Sequence, residues 1–455
     1  MTGASMPPPA WWLAFPAPLR RLLERLPAGF WRAARSTGWH MVGHVVRLVV
    51  GLVVGLYVAR YLGPESYGVL NYAIGFAFLF SALAHLGLAD IVVRDLVARP
   101  ERQGEILGSA LALRVMSTTV ALALVAAAAW ATQADATTRL MIMVIAGGFA
   151  LDAMSAPAEW FKSKVLAGPI VIATLIGMAA ASILRVAFVL LEKPVIWFAW
   201  PALFEAALAA ALTFAFYHRH GGLPLARWHP CRQRMRELLA QCWPLTLAAG
   251  LAQVQHRIDQ VMLGDMLGPT EVGWYAAAAR MSQLWYFVPF AVAMAVFPAL
   301  VRARETSQEL YERRMQAFFD FMLWLAVAIS LPAAVVAEPL VHLLYGAAYA
   351  PSADVLQIHI WSLVLNSILM TTWRWMMAEG LTRALLGFSI VTVGANILFN
   401  LLLIPSFGAV GAAWATLGAY CPAVVLRFYY RPTRPTAMMT LRAVAAPVRL
   451  LMRTA

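Results

Sequence analysis

Apolar runs of about 20 residues or more recur along the whole chain, separated by short polar segments. An α-helix rises about 1.5 Å per residue, so a run of this length crosses the roughly 30 Å hydrocarbon core of a bilayer. The pattern predicts an all-α integral membrane protein with about twelve transmembrane helices. The expected spans are residues 39–59, 67–88, 106–131, 140–160, 167–191, 195–217, 241–263, 274–301, 317–337, 353–378, 384–404 and 409–429.

The composition agrees with these runs, because 62% of the 455 residues are hydrophobic, only 13% are charged, and the mean hydropathy is +0.71. The formal charge of +13 also occurs in nucleic-acid-binding proteins. Here, however, the basic residues punctuate apolar runs and do not form one polar surface with interleaved aromatics. We therefore expect membrane lipids around the chain and no nucleic-acid partner.

The basic residues are distributed unequally between alternate loops. Of the lysines and arginines outside the spans, 26 lie on one side and three lie on the other, namely Arg60, Arg139 and Lys193. Because cytoplasmic loops carry the basic excess, both termini are predicted to be cytoplasmic. The predicted divisions are a basic cytoplasmic N-terminal segment, a six-span N-lobe, a cytoplasmic linker, a six-span C-lobe and a basic cytoplasmic tail, at 1–37, 38–217, 218–239, 240–430 and 431–455.

The N-terminal segment lacks a continuous apolar region followed by a small-residue cleavage site, so we interpret it as retained, with an interfacial helix around 19–26.

A short motif occurs once in each half. Residues 62–68 and 267–273 share the pattern LGPxxxG at an offset of 205 residues. Each copy follows the first span of its half, so the halves are expected to have the same orientation, related by an axis along the membrane normal. One Gly-Pro pair is ordinary turn chemistry. Two copies in matching positions predict two pseudo-symmetric six-helix lobes around a central cavity.

Ionisable residues within apolar spans are costly, at about 2.5 to 3.5 kcal/mol each, and normally face a protein interior or a water-filled cavity. Arginines at this depth outnumber the acids, which indicates an anionic passenger. The candidate cavity residues are His44, Arg47, Arg114, Arg185, Gln253, His256, Arg257, Asp259 and Gln260, and the candidate ion-coupling acids are Asp152, Glu205 and Asp320. Any single arginine is equally well explained as a structural ion pair, and Arg257 with Asp259 is the clearest case.

Helical spacing selects two polar faces. In the first span, His40, His44, Arg47 and Gly51 follow the i, i+4, i+7, i+11 spacing of one face. In the seventh span, Gln253, His256, Arg257 and Gln260 fall within a sector of about 100°. Arg280 and Arg374 lie near span ends, where their side chains can extend to the membrane surface, so they rank lower.

Enzyme chemistry has no support in the sequence. The phosphate loop GxxxxGK[ST], the nucleophile elbow GxSxG and the zinc motif HExxH are all missing. The three cysteines, Cys231, Cys242 and Cys421, do not have metal-ligand spacing. We therefore expect no catalytic residue, no cofactor and no metal site.

Several segments together carry a family resemblance. These are residues 59–73 with 86–88 and 93–94, then 243–245 with 257–264, and finally 408–413. Over roughly residues 36–430 the chain resembles the Wzx-type polysaccharide flippases of the multidrug/oligosaccharidyl-lipid/polysaccharide exporter superfamily. The resemblance implies two lobes around a cationic cavity. It carries a substrate-binding role over to Arg257, Asp259 and Arg47.

The activity implied by the resemblance is the flipping of an undecaprenyl-diphosphate-linked oligosaccharide from the cytoplasmic to the periplasmic leaflet by alternating access. The product would serve surface polysaccharide synthesis, O-antigen or exopolysaccharide, beside a polysaccharide polymerase and glycosyltransferases. The alternatives are a peptidoglycan-precursor flippase or a cation-coupled drug exporter of the same superfamily. Alternatives from other functional classes are a membrane-embedded polymerase or transferase and a scaffold protein without transport activity.

Overall fold

A computed structural model describes residues 28–446, which form seventeen α-helices joined by turns and short 3-10 segments, without a strand in that range. The predicted helix at 19–26 lies outside the described residues. The α-helices are α1 Ala28–Leu79, α2 Ser81–His85, α3 Ala89–Ala98, α4 Gln103–Ala131, α5 Ala136–Asp152, α6 Ala156–Ser163, α7 Ala167–Leu190, α8 Trp200–Arg219, α9 Arg232–Leu267, α10 Pro269–Leu284, α11 Phe287–Thr306, α12 Gln308–Val335, α13 Ala337–Tyr345, α14 Ser352–His359, α15 Ser362–Ala378, α16 Thr382–Tyr429 and α17 Arg434–Val444.

The all-α membrane prediction is confirmed. Within residues 28–446, nine helical segments are long and apolar enough to cross a bilayer. Two of them, Met41–Leu79 and Ala384–Tyr429, are 39 and 46 residues long, about twice what one crossing needs. Each of the two overlaps a pair of predicted spans, so the nine segments correspond to eleven of the twelve.

The two long helices are interrupted at glycines in conformations that L-residues rarely adopt. Gly63 in α1 has φ 69° and Gly408 in α16 has φ 56°. At Gly408 the helix restarts immediately, and the Ala409 N–H donates to the Glu271 carboxylate at 2.7 Å. A carboxylate at a helix start is stabilised by the helix dipole.

The remaining predicted span, 241–263, lies in α9, which is 36 residues long but too polar to be counted with the other nine. This helix begins at Arg232, inside the segment predicted as a linker, and it packs against α1 of the first lobe and α16 of the second. Just before it, the Cys231 N–H donates to Ser109 Oγ at 3.0 Å. The connection is therefore fixed to the N-lobe surface.

We call α1–α8 the N-lobe and α9–α17 the C-lobe. Their contacts are reciprocal across the repeat: a Cβ on Gly68 would overlap the Pro269 carbonyl, and a Cβ on Gly273 would overlap the Pro64 carbonyl. The two LGPxxxG turns therefore pack backbone to backbone, at an end of the molecule that we call the LGP side; the opposite end is the linker side. Nearby, the Tyr349 hydroxyl donates to the Ala59 carbonyl at 2.8 Å.

The segment predicted as a basic cytoplasmic tail contains a docked helix. The Trp324 Nε1–H of α12 donates to the Ala443 carbonyl of α17 at 2.9 Å. Beneath α17, the fully buried Arg427 donates through Nη1 to Thr372 Oγ1 at 2.8 Å and to Thr440 Oγ1 at 3.2 Å. Residues 434–444 of the predicted tail are therefore packed against the C-lobe.

We expect Gly68→Ala to push the lobes apart on the LGP side, because the new methyl group meets a backbone carbonyl that cannot rotate away. Spin labels at Glu65 and Ala347, both exposed there, should show a longer mean distance in this variant by double electron-electron resonance. Gly148→Ala is the matched control, since a Cβ at Gly148 has no heavy atom within 4 Å. An unchanged distance in Gly68→Ala would refute the backbone-contact interpretation.

Candidate functional site: an arginine-lined cavity between the lobes

A cavity of about 170 Å³ lies between the lobes, beneath the turn contact. The N-lobe contributes Tyr67, Asn71 and Arg185, and the C-lobe contributes Arg280. The remaining wall is mostly apolar, formed by side chains of α1 with Ile145 and Phe198. Guanidinium groups from both lobes thus face one shared space.

Arg280 reaches the N-lobe because two glycines leave room for it. Its Nη2 donates to the Gly51 carbonyl at 2.6 Å. A Cβ on Gly55 would lie 2.7 Å from the Arg280 Cζ. The sequence alone ranks Arg280 low, as a residue near a span end. The signal that identifies its position is the i, i+4 pair of glycines on the facing helix.

The predicted polar face of the first span is turned toward the C-lobe. His44 stacks on Phe287 with ring centroids 4.9 Å apart, and Gly51 accepts the bond from Arg280. Arg47 lies between these two positions on the same face and is exposed. The side chain of His40 lies outside the described residues.

The other predicted arginines are placed differently. Arg185 lies 3.7 Å from Glu205, with both side chains about a quarter exposed. Arg257 lies over the Phe78 ring of the N-lobe, 5.6 Å from its centroid. Gln260, on the same helix, is buried against Gly75 with its Oε1 unpartnered. Gln253 is half-buried and His256 is exposed.

Asp259 does not pair with Arg257. Its carboxylate, buried in the C-lobe, accepts only neutral donors among the described residues. These donors are Tyr275 Oη at 2.6 Å, Thr416 Oγ1 at 2.7 Å, Asn396 Nδ2 at 3.0 Å and Asn400 Nδ2 at 2.5 Å. We call these five residues the Asp259 cage.

The cage has ligand character of its own. The Oδ1 atoms of Asn396 and Asn400 are buried without a hydrogen-bond partner, beside a carboxylate that forms no ion pair within 4.0 Å among the described residues. Carboxylate, amide and hydroxyl oxygens are the ligands of hard cations, and a proton on Asp259 would also neutralise the charge. Sequence reasoning misses the two asparagines, although amides spaced i, i+4 within an apolar span are a detectable signal.

Arg114 and the remaining acids lie outside this cavity. Arg114 is buried in a two-bond pair with Glu159, at 2.9 and 2.6 Å, and also donates to Ser155 Oγ at 2.9 Å. In the described conformation Arg114 thus forms an ion pair within the N-lobe, and its expected cavity role stays a prediction. Asp152 lies 3.6 Å from His85 Nε2, and Asp320 accepts from Gln316 Nε2 at 2.7 Å.

Solved structures share this fold over nearly the whole chain. An inward-facing multidrug resistance MATE family transporter of the MOP superfamily aligns with TM-score 0.70 at 17% identity, covering 86% of this chain and 94% of that one. The lipid II flippase MurJ in its inward closed conformation aligns with TM-score 0.70 at 13% identity, covering 91% and 92%. The fold is thus that of the two-lobed membrane transporters of the MOP superfamily.

Within that class, the chain belongs to the polysaccharide biosynthesis protein family, whose family model matches residues 33–304. The model for the lipid II flippase MurJ matches residues 170–452. The predicted family resemblance is therefore confirmed.

Two Haloferax volcanii proteins are similar over part of the chain. The probable flippase AglR is 29% identical over 167 residues, 35% of this chain and 34% of AglR. The probable low-salt glycan biosynthesis flippase Agl15 is 24% identical over 177 residues, 38% and 37% respectively. The chain thus matches only about a third of the length of either relative.

Removing one member of the Arg114–Glu159 pair should destabilise the fold. We expect Arg114→Met to lower the free energy of unfolding by about 3–5 kcal/mol, because Glu159 is left buried and unpaired. Arg114→Met with Glu159→Leu should recover most of that loss. Thermal unfolding of the purified protein in detergent measures both. A double variant as unstable as the single one would contradict the paired role.

Asp259→Ala should also destabilise the protein, by at least about 1–3 kcal/mol, since buried donors of the cage lose their acceptor. Because Arg257 and Asp259 share no partner, we expect the interaction energy in a double-mutant cycle with Arg257→Ala to stay below about 0.5 kcal/mol. Thermal unfolding again provides the measurement. A double variant more stable than Asp259→Ala alone would restore the ion-pair interpretation.

Proposed function

We propose that the protein flips an undecaprenyl-diphosphate-linked oligosaccharide from the cytoplasmic to the periplasmic leaflet of a bacterial inner membrane. The observation that supports this most directly is the interlobe cavity with guanidinium groups from both lobes. The product would feed surface polysaccharide synthesis, O-antigen or exopolysaccharide, with a polymerase and glycosyltransferases as working partners. The lipid tail would stay in the bilayer while the headgroup passes between the lobes.

The arginines that line the cavity or lie near it support an anionic passenger. Glu205 lies beside Arg185, whereas Arg47, Arg257 and Arg280 have no carboxylate within 4.0 Å among the described residues. Uncompensated guanidinium groups at membrane depth are costly, and a diphosphate would supply the missing negative charge through paired N–H bonds. We propose Arg47, His44, Arg185, Gln253, His256, Arg257, Gln260 and Arg280 as the substrate-contacting residues.

Transport requires the cavity to open on each side in turn. The basic excess on the linker side supports a cytoplasmic location for that side and for both termini, and the LGP side would then be periplasmic. With the turns in contact, the described conformation would be closed on the side that we propose to be periplasmic. We propose that parting of the two turns releases the flipped headgroup.

The cycle also needs a driving force, for which Asp259 is a stronger candidate than Asp152 or Glu205. Those two acids lie beside His85 and Arg185, while the carboxylate of Asp259 is held by neutral groups that lie in three segments of the C-lobe. We propose that binding of a proton or cation in the Asp259 cage changes the packing of α9 against α16.

The similar proteins support a flippase over a drug exporter or a polymerase. AglR, Agl15 and MurJ are described as flippases, which favours a lipid-linked glycan. A peptidoglycan-precursor flippase remains the second candidate on the MurJ match. A basic cavity disfavours the cationic substrates of drug exporters, and a polymerase would need acid and base residues in a sizeable external loop.

The test is translocation of lipid-linked oligosaccharide, extracted from producing cells, in proteoliposomes containing the purified protein. We expect Arg280→Ala and Arg47→Ala to reduce movement of the headgroup strongly, because phosphate neutralisation is lost. Lysine at either position should retain part of the rate, since a point charge still attracts phosphate although the bidentate fork is gone.

The control is Arg313→Ala, because Arg313 is an exposed arginine of α12 outside the cavity. This variant should move headgroups at the wild-type rate. Wild-type rates in both the Arg280→Ala and the Arg47→Ala variants, with normal protein levels, would reject the anion-cavity proposal.

A further inference from the structure

A second, larger space lies on the LGP side. It is a cleft of about 690 Å³ between the loop that joins α4 to α5 and the turn that joins α9 to α10. The N-lobe contributes Tyr72, Thr132, Gln133 and Asp135, and the C-lobe contributes Asp265 with the backbone at Gly268 and Pro269. Its size is typical of a small-molecule site.

The chemistry of this cleft is the reverse of that in the central cavity. Among the described residues no lysine or arginine lines it, and Arg139, which follows the lining residue Thr138, donates to the Thr132 carbonyl at 3.1 Å. Its polar lining consists of two carboxylates, an amide and hydroxyls. Carboxylates repel phosphate but accept hydrogen bonds from hydroxyl groups, and the Gln133 amide both donates and accepts.

Hydrogen bonds fix both carboxylates in position, and both can accept further hydrogen bonds. Asp135 caps α5, where its oxygens accept the Thr137 and Thr138 N–H groups at 3.1 and 3.2 Å. Partial burial alone would raise the pKa of Asp135, but the hydrogen bonds from Thr138 and Thr137 outweigh it and lower that pKa. Asp265 accepts the Tyr72 hydroxyl on Oδ1 at 2.6 Å, leaving Oδ2 available.

The cleft is separated from the central cavity by one turn of helix and by the turn contact. Tyr67, Leu70 and Asn71 of α1 face the cavity, whereas Val69 and Tyr72 of the same stretch face the cleft. Pro269 lines the cleft and is also the residue that meets Gly68. Separation of the turns would therefore extend the cavity into the cleft.

We propose that this cleft is an exit subsite that takes the uncharged, hydroxyl-rich sugar units of the passenger, through Asp135, Asp265 and Gln133. This inference rests on the proposed flippase function. It adds that two parts of the transport path bind two different parts of the passenger. Arginines bind the diphosphate inside the membrane, and acidic and amide groups bind the glycan where it emerges. A sugar hydroxyl can bind the Oδ2 atom of Asp265 while Tyr72 keeps Oδ1, so the glycan adds a contact without breaking that bond between the lobes.

The test uses site-specific labelling in proteoliposomes. Cys231, Cys242 and Cys421 are replaced by serine, and a single cysteine is introduced as Gln133→Cys or, for control, as Ala347→Cys, exposed on the LGP side but outside the cleft. The probes are lipid-linked oligosaccharide extracted from producing cells and undecaprenyl phosphate, which lacks the glycan. A membrane-impermeant maleimide reports accessibility.

We expect the oligosaccharide to slow labelling at position 133 severalfold and to leave position 347 unchanged, while undecaprenyl phosphate protects neither. Asp135→Asn with Asp265→Asn should weaken that protection and raise the apparent KM for headgroup movement. The matched control is Asp90→Asn, an exposed acid at the start of α3, which should leave both unchanged.

Equal labelling at position 133 with and without the glycan, in protein that translocates headgroups normally, would overturn the subsite and leave the flippase proposal standing. Protection by undecaprenyl phosphate would also overturn it, because the occupant would then be the lipid phosphate. If the cysteine-free protein moves no headgroup although the wild type does, Gln133→Cys is introduced into the protein that keeps its native cysteines, and mass spectrometry measures maleimide labelling at position 133. If the wild type itself moves no headgroup, the flippase proposal fails, and the subsite with it.

Discussion

The closed arrangement of the lobes depends on direct backbone contact between the two LGPxxxG turns. Gly68 lies against Pro269 and Gly273 lies against Pro64 without an intervening side chain, so the helices that follow the turns approach more closely than side chains would allow. Helix association inside a bilayer gains little from the hydrophobic effect and relies on such close packing of small residues. The contact brings Arg280 within reach of the Gly51 carbonyl and thereby defines the cavity.

Polar interactions hold the C-lobe together where apolar packing cannot specify one arrangement. The Asp259 cage joins α9, α10 and both parts of α16 through one carboxylate. In a low-dielectric surrounding, a hydrogen-bonded network of this kind has few competing arrangements, because displacing any donor leaves further buried polar groups unsatisfied. The N-lobe has its own counterpart in the Arg114–Glu159 pair, which joins α4 to α6.

Hydrophobic runs and turn residues are enough to predict the membrane fold, since bilayer thickness sets helix length and Gly-Pro sets the breaks at residues 63 and 268. The repeat also predicts that the two turns occupy matching positions. The pairing of polar residues is less accessible, because the depth of a residue does not reveal its partner. Arg114 meets Glu159 rather than the cavity, and Asp259 meets two asparagines from a helix 137 or more residues away. The docking of α17 depends on the contact of Thr440 with the buried Arg427. Neither hydrophobic periodicity nor turn residues in the sequence predict this contact.

The polarity of α9 has a consequence for how the chain enters the membrane. Within about two turns, α9 carries the polar residues Gln253, His256, Arg257 and Asp259. The free energy of inserting such a segment into lipid is too unfavourable for it to be stable alone, so it needs polar partners that are already in the membrane. Its N-lobe partners, beginning with α1, are synthesised earlier, whereas the asparagines that satisfy Asp259 are synthesised later. We therefore expect the N-lobe to hold α9 during biogenesis until α16 is made, so that the second lobe folds after the first and depends on it.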